Sequence, residues 1–238
     1  MNLETSNMIT VRKSEERGHA DHGWLDARHT FSFAGYFDPE WVQFGPLRVL
    51  NQDRIAAGRG FGEHPHDNME IVTVVLDGVL EHRDSMGNGS QMRPGEVQLM
   101  SAGTGVRHSE FNASRDEELH LLQMWVLPRE QGYEPRYEQK AFPAEELRGL
   151  RLVVSPDGRD GSLTIGADAS LYAGTVAAGE ENRLSLEPGR AWLHVAKGSV
   201  RLNGEELAPG DGAAIEGETE LAFEGVEDAE LVLWHFPS

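Results

Sequence analysis

The 238-residue chain contains no cysteine. That absence excludes disulfides, thiolate metal ligands and a cysteine nucleophile, so any metal must be held by nitrogen and oxygen atoms. The chain also lacks an apolar run of about 18 residues, and nothing in it is expected to span a membrane. Its start, MNLETSNMITVRKSEERGHADHG, has neither the basic end nor the apolar core of a secretory signal, which makes a cytoplasmic location the simplest expectation. Positive charge is scarce: 21 Lys and Arg stand against 40 Asp and Glu, a formal charge of −19. This balance favours solubility and argues against direct binding of a nucleic-acid backbone, while leaving a protein partner compatible. Acidity is heaviest from residue 180 to 238, with thirteen acidic against four basic residues, where a solvated face is a simpler reading than a docking patch.

Helical periodicity is scarce as well. Only PAEELRGL and PREQGYEPRYEQK look locally helical or irregular. What recurs instead are short apolar or alternating segments between Gly, Pro, Asn and Asp clusters, among them LRVLNQD, EIVTVVL, EVQLM, ELHLLQMWVL, LRLVVSP, AWLHVA and ELVLWHF. Segments of this length and spacing predict an all-β protein of antiparallel strands, closed into barrels or sandwiches. VLDGVLEHRDS followed by MRPGEVQLM has the same layout as VAKGSVRLNGEE followed by LAPGDGAAI, an echo that predicts two copies of one unit. In each copy a Pro-Gly pair, Pro94-Gly95 or Pro209-Gly210, suits a type II turn. The Asp77-Gly78 dipeptide reads as a hairpin turn. The expected division is residues 1–135, an N-terminal unit with an extension, and residues 136–238, a C-terminal unit.

Eight of the ten histidines lie at or before His120, so metal chemistry is expected in the first unit. Residues i and i+2 of a strand point to the same face. That pairs His64 with His66 in GEHPH, and His108 with Glu110 in GVRHSEFN. On facing strands the two pairs would present three imidazoles and one carboxylate, a set suited to Fe, Mn, Ni, Cu or Zn. One H-x-H pair alone would more often be two ordinary polar residues; the second pair shifts the balance to a metal site. Glu70 would share the face of His66 if that strand continued. It competes with Glu110 as carboxylate ligand or orients a ligand imidazole. His82, beyond the Asp77-Gly78 turn, is read as a structural hydrogen-bonding residue. His19, His22 and His29 are read as surface or packing residues, and the aromatics of TFSFAGYFDPEW as core.

FGEHPHDNMEIVTVVLDGVLEHRDSMGN with MSAGTGVRHSEFN, and upstream DARHTFSFAGYFDP with FGPLRVLNQD, resemble the pirin family of the cupin superfamily from about Gly23 to Pro128. The resemblance implies two jelly-roll (cupin) barrels in tandem, the first binding metal and the second metal-free. It places the metal ligands on His64, His66, His108 and Glu110, with Glu70 outside the ligand set. It implies one divalent transition metal, typically Fe(II), with Cu, Ni, Mn or Zn as alternatives. Some bacterial pirins resemble quercetin 2,3-dioxygenases, so the implied reaction opens the central ring of a flavonol with O2, with loss of carbon monoxide. Glu110 would then also serve as base for the 3-hydroxyl. The alternative is a non-catalytic, metal- or redox-sensitive regulatory protein, as other pirins are. A metal-assisted hydrolase or isomerase is a third possibility, because fold does not fix chemistry.

Overall fold

The computed structural model describes residues 8–238. Its strands form four sheets, two of seven strands and two of four. One seven-stranded sheet runs in the order Arg136–Ala141, Glu96–Ser101, Glu70–Asp77, Leu119–Val126, Leu47–Ile55, Leu25–His29, Gly18–Asp21. Across from it lies the four-stranded sheet Gly60–His66, Val106–Asn112, Leu80–Asp84, Gly89–Met92. The second pair repeats the plan. Its seven-stranded sheet is ordered Met8–Arg12, Gly212–Glu216, Gly189–Lys197, Ala229–Pro237, Ser170–Val176, Gly149–Ser155, Leu163–Thr164, and its four-stranded sheet Glu181–Ser185, Glu220–Gly225, Val200–Leu202, Glu205–Leu207. Strand pairing is antiparallel throughout, apart from the short Leu163–Thr164 strand. The all-β, tandem jelly-roll expectation agrees with this architecture. No described helix is long and apolar enough to cross a membrane.

Alternation sorts each strand's residues between two environments. On Glu70–Asp77, Val72, Val74 and Leu76 join the core between the two seven-stranded sheets, while Val75 turns into the first unit's own interior. The inter-sheet core centres on Trp192, whose ring meets Phe31 at 4.9 Å, Phe44 at 5.5 Å and Trp41 at 5.6 Å between centroids. Such offset aromatic contacts add to the large area each ring buries. The second unit's interior is filled by apolar side chains such as Leu193, Val195, Ile215, Phe223 and Leu231.

The internal echo is structural. Gly78 and Gly198 take left-handed backbone, with φ of 85° and 63°, at equivalent corners. A Cβ on Gly78 would stand 2.7 Å from the carbonyl oxygen of Glu118, and one on Gly198 would strike that of Asp228, so both corners exclude a side chain. These corners also correct the hairpin expectation at Asp77-Gly78. The strands on either side belong to different sheets, and the turn carries the chain across the sandwich.

A second correction concerns PREQGYEPRYEQK. Its later half is the strand Arg136–Ala141, paired with Glu96–Ser101 at the edge of the first unit's sheet. Strand exchange therefore crosses the expected 135/136 junction in both directions, because Met8–Arg12 pairs with Gly212–Glu216 of the second unit. PAEELRGL is a run of turns.

Candidate metal centre and adjoining cavity

Gly60–His66 and Val106–Asn112 are antiparallel neighbours, with His64 opposite His108 and His66 opposite Val106. A bulge between His108 and Glu110 sets Glu110 opposite Phe61. Pro65 has no N–H for the ladder, and it is accommodated because Gly60–His66 is an edge strand. Three of the four sequence-predicted residues thus form one cluster, and Glu110 adjoins it through His108. His64, His66 and His108 each offer a ligand atom, all within 4.8 Å of one another, and the same holds for His82, His108 and Glu110. His108 Nε2 lies 3.9 Å from Glu110 Oε2.

The hydrogen bonds separate the donors. His64 Nδ1 donates to the carbonyl of Gly62 at 2.8 Å, which leaves the Nε2 lone pair facing inward. It meets His108 Nε2 at 3.0 Å. Two ligands of one cation with metal–nitrogen bonds of about 2.1 Å, roughly at right angles, stand about 3 Å apart. The spacing therefore fits a shared metal. Glu110 Oε2 accepts from Gln123 Nε2 at 2.9 Å, and the amide is held in that orientation because its oxygen accepts from Trp125 Nε1 at 3.3 Å. Glu110 Oε1 is buried and has no protein partner, so one lone-pair-bearing oxygen awaits a ligand.

His82 differs. Its Nδ1 accepts from Gln98 Nε2 at 3.0 Å and its Nε2 donates to Asp84 Oδ2 at 3.1 Å, and the ring stacks on Tyr137. Both nitrogens are committed, so His82 has no free lone pair and stands beside the centre as a structural residue. Burial, with the neighbouring His108 and His64, pushes His66 down to about 4. Burial, with His64 and His82, pushes His108 down to about 3. Both rings are neutral at pH 7, the state that binds metal.

Glu70 is not near this centre. Asn68, in left-handed backbone with φ of 46°, turns the chain between His66 and Glu70 and starts a strand of the other sheet. Glu70 Oε2 accepts from Ser101 Oγ at 2.7 Å instead, and its carboxylate lies against Gly166 of the second unit.

A cavity of about 410 Å³ opens beside the histidines. Trp24, Phe33, Phe61 and Trp125 supply its apolar walls, with Asn51 and Asp53 among its polar groups. Its volume lies within the roughly 300–1,000 Å³ of sites that enclose drug-sized molecules. His29, read from sequence as packing or surface, lines this cavity and its Nδ1 is 2.8 Å from Asn51 Oδ1. The TFSFAGYFDPEW aromatics divide: Phe31 is core, Phe33 is cavity wall, and Phe37 is exposed. Asp53 escaped the sequence reading altogether. Burial, then the charges of Glu110 and Asp26, push its carboxyl up to about 7, and its Oδ1 has no partner. The available signal was parity: in LRVLNQD, Asn51 and Asp53 share the inward face with Val49.

Residues 10–126 match the model of the Pirin family, and residues 152–235 match that of the quercetinase C-terminal cupin domain. The chain is 50% identical over 232 residues to the quercetin 2,3-dioxygenase of Escherichia coli K12, covering 97% of this chain and 99% of that protein. This chain belongs to the pirin family. Among solved structures, YhhW from Escherichia coli superposes with a TM-score of 0.92 at 50% identity, covering 97% of this pirin and 98% of that chain. A structure described as bacterial pirin YhhW in complex with nickel(II) superposes with a TM-score of 0.91 at 49% identity, covering 97% and 99%. Several further relatives carry the name putative quercetin 2,3-dioxygenase, such as that of Pseudomonas aeruginosa at 45% identity.

Proposed function

We propose that this pirin is a metal-dependent dioxygenase that opens the central ring of a flavonol such as quercetin with O2. In this reading His64, His66, His108 and Glu110 hold one divalent transition metal, Fe(II) by family preference, with Ni, Cu, Mn or Zn able to occupy the same donors. The metal-bearing unit is residues 1–135 and the metal-free unit residues 136–238, each lending a strand to the other's side of the junction. A cytoplasmic location completes the proposal.

The observation that carries it is a cluster of three imidazoles, linked through His108 to the Glu110 carboxylate, at the wall of a cavity of about 410 Å³ with four Trp and Phe rings in its lining. A metal bound there supplies Lewis acidity and a template for substrate and oxygen. The chain's own residues do the rest. The flat rings of Trp24, Phe33, Phe61 and Trp125 suit a planar phenolic. Glu110, steadied by Gln123, can take the proton of the flavonol 3-hydroxyl on the carboxylate oxygen that does not hold the metal. Asp53, without a partner of its own, offers an acceptor for a second phenolic hydroxyl. The closely similar proteins named quercetin 2,3-dioxygenase support the substrate class.

The test is oxygen uptake and loss of quercetin absorbance by protein reconstituted anaerobically with Fe(II), and separately with Ni(II), Cu(II) or Mn(II), with occupancy measured in each sample. Turnover that disappears in His64→Ala is the expected result. Full occupancy without oxygen consumption would overturn the dioxygenase reading and favour a metal-sensing regulatory protein.

A further inference from the structure

A second cavity, of about 240 Å³, lies between the two units and away from the histidine cluster. Arg17, Asp26, Arg28, Gln52, Arg54 and His120 line it from the first unit, and Ala196 with the Pro209-Gly210 turn from the second. Three arginines against the single carboxylate of Asp26 reverse the local charge of a chain whose formal charge is −19.

Arg17 is the centre of the cluster. It is only 6% exposed, and its guanidinium donates to neutral acceptors alone: Gln52 Oε1 at 3.2 Å, Ser14 Oγ at 3.1 Å and the Ser14 carbonyl at 3.4 Å. Among the described residues it makes no ion pair. The one carboxylate that acts on it, Asp211, is already bonded to Lys13 Nζ, the Ser14 amide and the Ala208 amide. Gln52 gives no compensation either, since its oxygen also accepts from His194 Nε2 and its amide donates to His120 Nε2 and the Ala196 carbonyl. A buried guanidinium without a counter-charge is costly, and neighbouring Arg28 and Arg12 increase that cost. Arg28 reaches Asp26 only at 3.8 Å, and that carboxylate is engaged more closely by His19 at 3.0 Å. Arg54 pairs with Glu118 through one nitrogen, leaving its remaining donors free.

We propose that this cleft binds a compact oxyanion, a phosphate or a small carboxylate, held between Arg17, Arg28 and Arg54. Guanidinium forks match both groups through paired, charge-assisted hydrogen bonds. The volume falls below that of pockets for drug-sized ligands, so the ligand is small. Because the cleft joins elements of both units, the anion links them, and its binding stabilises the folded chain. The site also shares a strand with the first cavity: on Leu47–Ile55, Gln52 and Arg54 face the cleft while Asn51 and Asp53 face the barrel interior.

The experiment is titration calorimetry of the full-length protein in chloride buffer, with sodium phosphate in one arm and citrate in the other. Wild type is compared with Arg28→Gln/Arg54→Gln and with Arg54→Lys. Arg28 and Arg54 are partly exposed, so the double variant should keep its melting temperature in the absence of either anion. Saturable binding of phosphate or citrate is expected, weakened roughly 10- to 100-fold in the double variant and less in Arg54→Lys. The arm that binds more tightly tells a tetrahedral phosphate from a carboxylate. His64→Ala should bind the anion as wild type does, which separates this site from the metal centre. Absence of saturable binding up to about 10 mM in both arms, or equal affinity in the double variant, would overturn the proposal.

Discussion

Replacing Asp53 with asparagine should stabilise the metal-free protein at pH 8 but not at pH 4.5. Asp53 is 5% exposed, and burial reinforced by Glu110 and Asp26 holds its carboxyl at about 7 in the folded chain. In an unfolded chain the same group titrates near 3.9. The folded state thus keeps a proton that the unfolded state loses between about pH 4 and 7. The stability this proton confers is complete below the unfolded value and is lost as pH rises through the folded one. A gap of about three units corresponds to roughly 4 kcal/mol at pH 8, and to under about 1 kcal/mol at pH 4.5. The asparagine side chain would not titrate; its own unmet hydrogen bonds cost about 1–3 kcal/mol at every pH. The absolute gain is therefore modest, but the difference between variant and wild type should grow by about 3 kcal/mol from pH 4.5 to pH 8. Urea unfolding at the two pH values, after metal removal so that no cation offsets Glu110, measures it. A difference that stays constant with pH would show that Asp53 titrates normally, and would remove the argument that the cavity holds a proton there. The same variant should lose turnover, because an unpartnered carboxyl is kept at a cost to stability where function uses it.

Other outcomes follow from the same geometry. Gln123→Leu removes the amide that fixes Glu110 and should weaken metal binding roughly 10- to 100-fold with the fold intact, as equilibrium dialysis would show. Acidification should destabilise the metal-free chain from about pH 6.5 down towards 4. His66 and His120 are held at about 4 and His108 at about 3, so these rings stay neutral in the fold while the unfolded chain takes up their protons. Burial holds His194 well below its usual value too, so four rings act in this direction against the one opposite proton of Asp53, leaving about three and a slope of roughly 4 kcal/mol per pH unit, readable from denaturation midpoints. Trp192→Ala should cost about 3–5 kcal/mol in calorimetry, since its fully buried ring anchors the core between the units.

The centre was legible because its signal is local. His64 with His66 and His108 with Glu110 obey strand parity, and only the pairing of the two strands had to be supplied by the fold. The duplicated plan was legible through its Gly and Pro-Gly corners. Other features depended on which sheet a strand joins, which neither period nor composition encodes. Asp77-Gly78 looks like a hairpin, yet it moves the chain between sheets. Glu70 has the right spacing from His66, but Asn68 breaks the strand that would have made that spacing meaningful. Arg136–Ala141 carries Arg, Glu and Lys, as edge strands do to discourage further pairing, and those charges hide its strand character. Asn51, Asp53 and Gln123 sit in apolar runs at inward parity, where polar residues read as interruptions until the enclosed space is known.

The two units show what the polar interior costs and what offsets it. At comparable depth the second unit holds Leu193, Val195, Ile215 and Phe223, whereas the first holds histidines, Glu110, Asp53 and a cavity. Each buried polar group there needs a partner, and several atoms, among them Glu110 Oε1, His108 Nδ1 and Asp53 Oδ1, have none in the protein. A barrel built that way gains less from its own interior, since burial of apolar surface is the main stabilising term in folding. The apolar face joining the two units makes up the difference: Leu50, Val72 and Met124 of the first pack with Val153, Trp192 and Trp234 of the second. The second unit, without a metal-competent donor cluster among the described residues, therefore acts on the centre by supporting the sheet from which Asn51, Asp53, Gln123 and Trp125 project into the cavity.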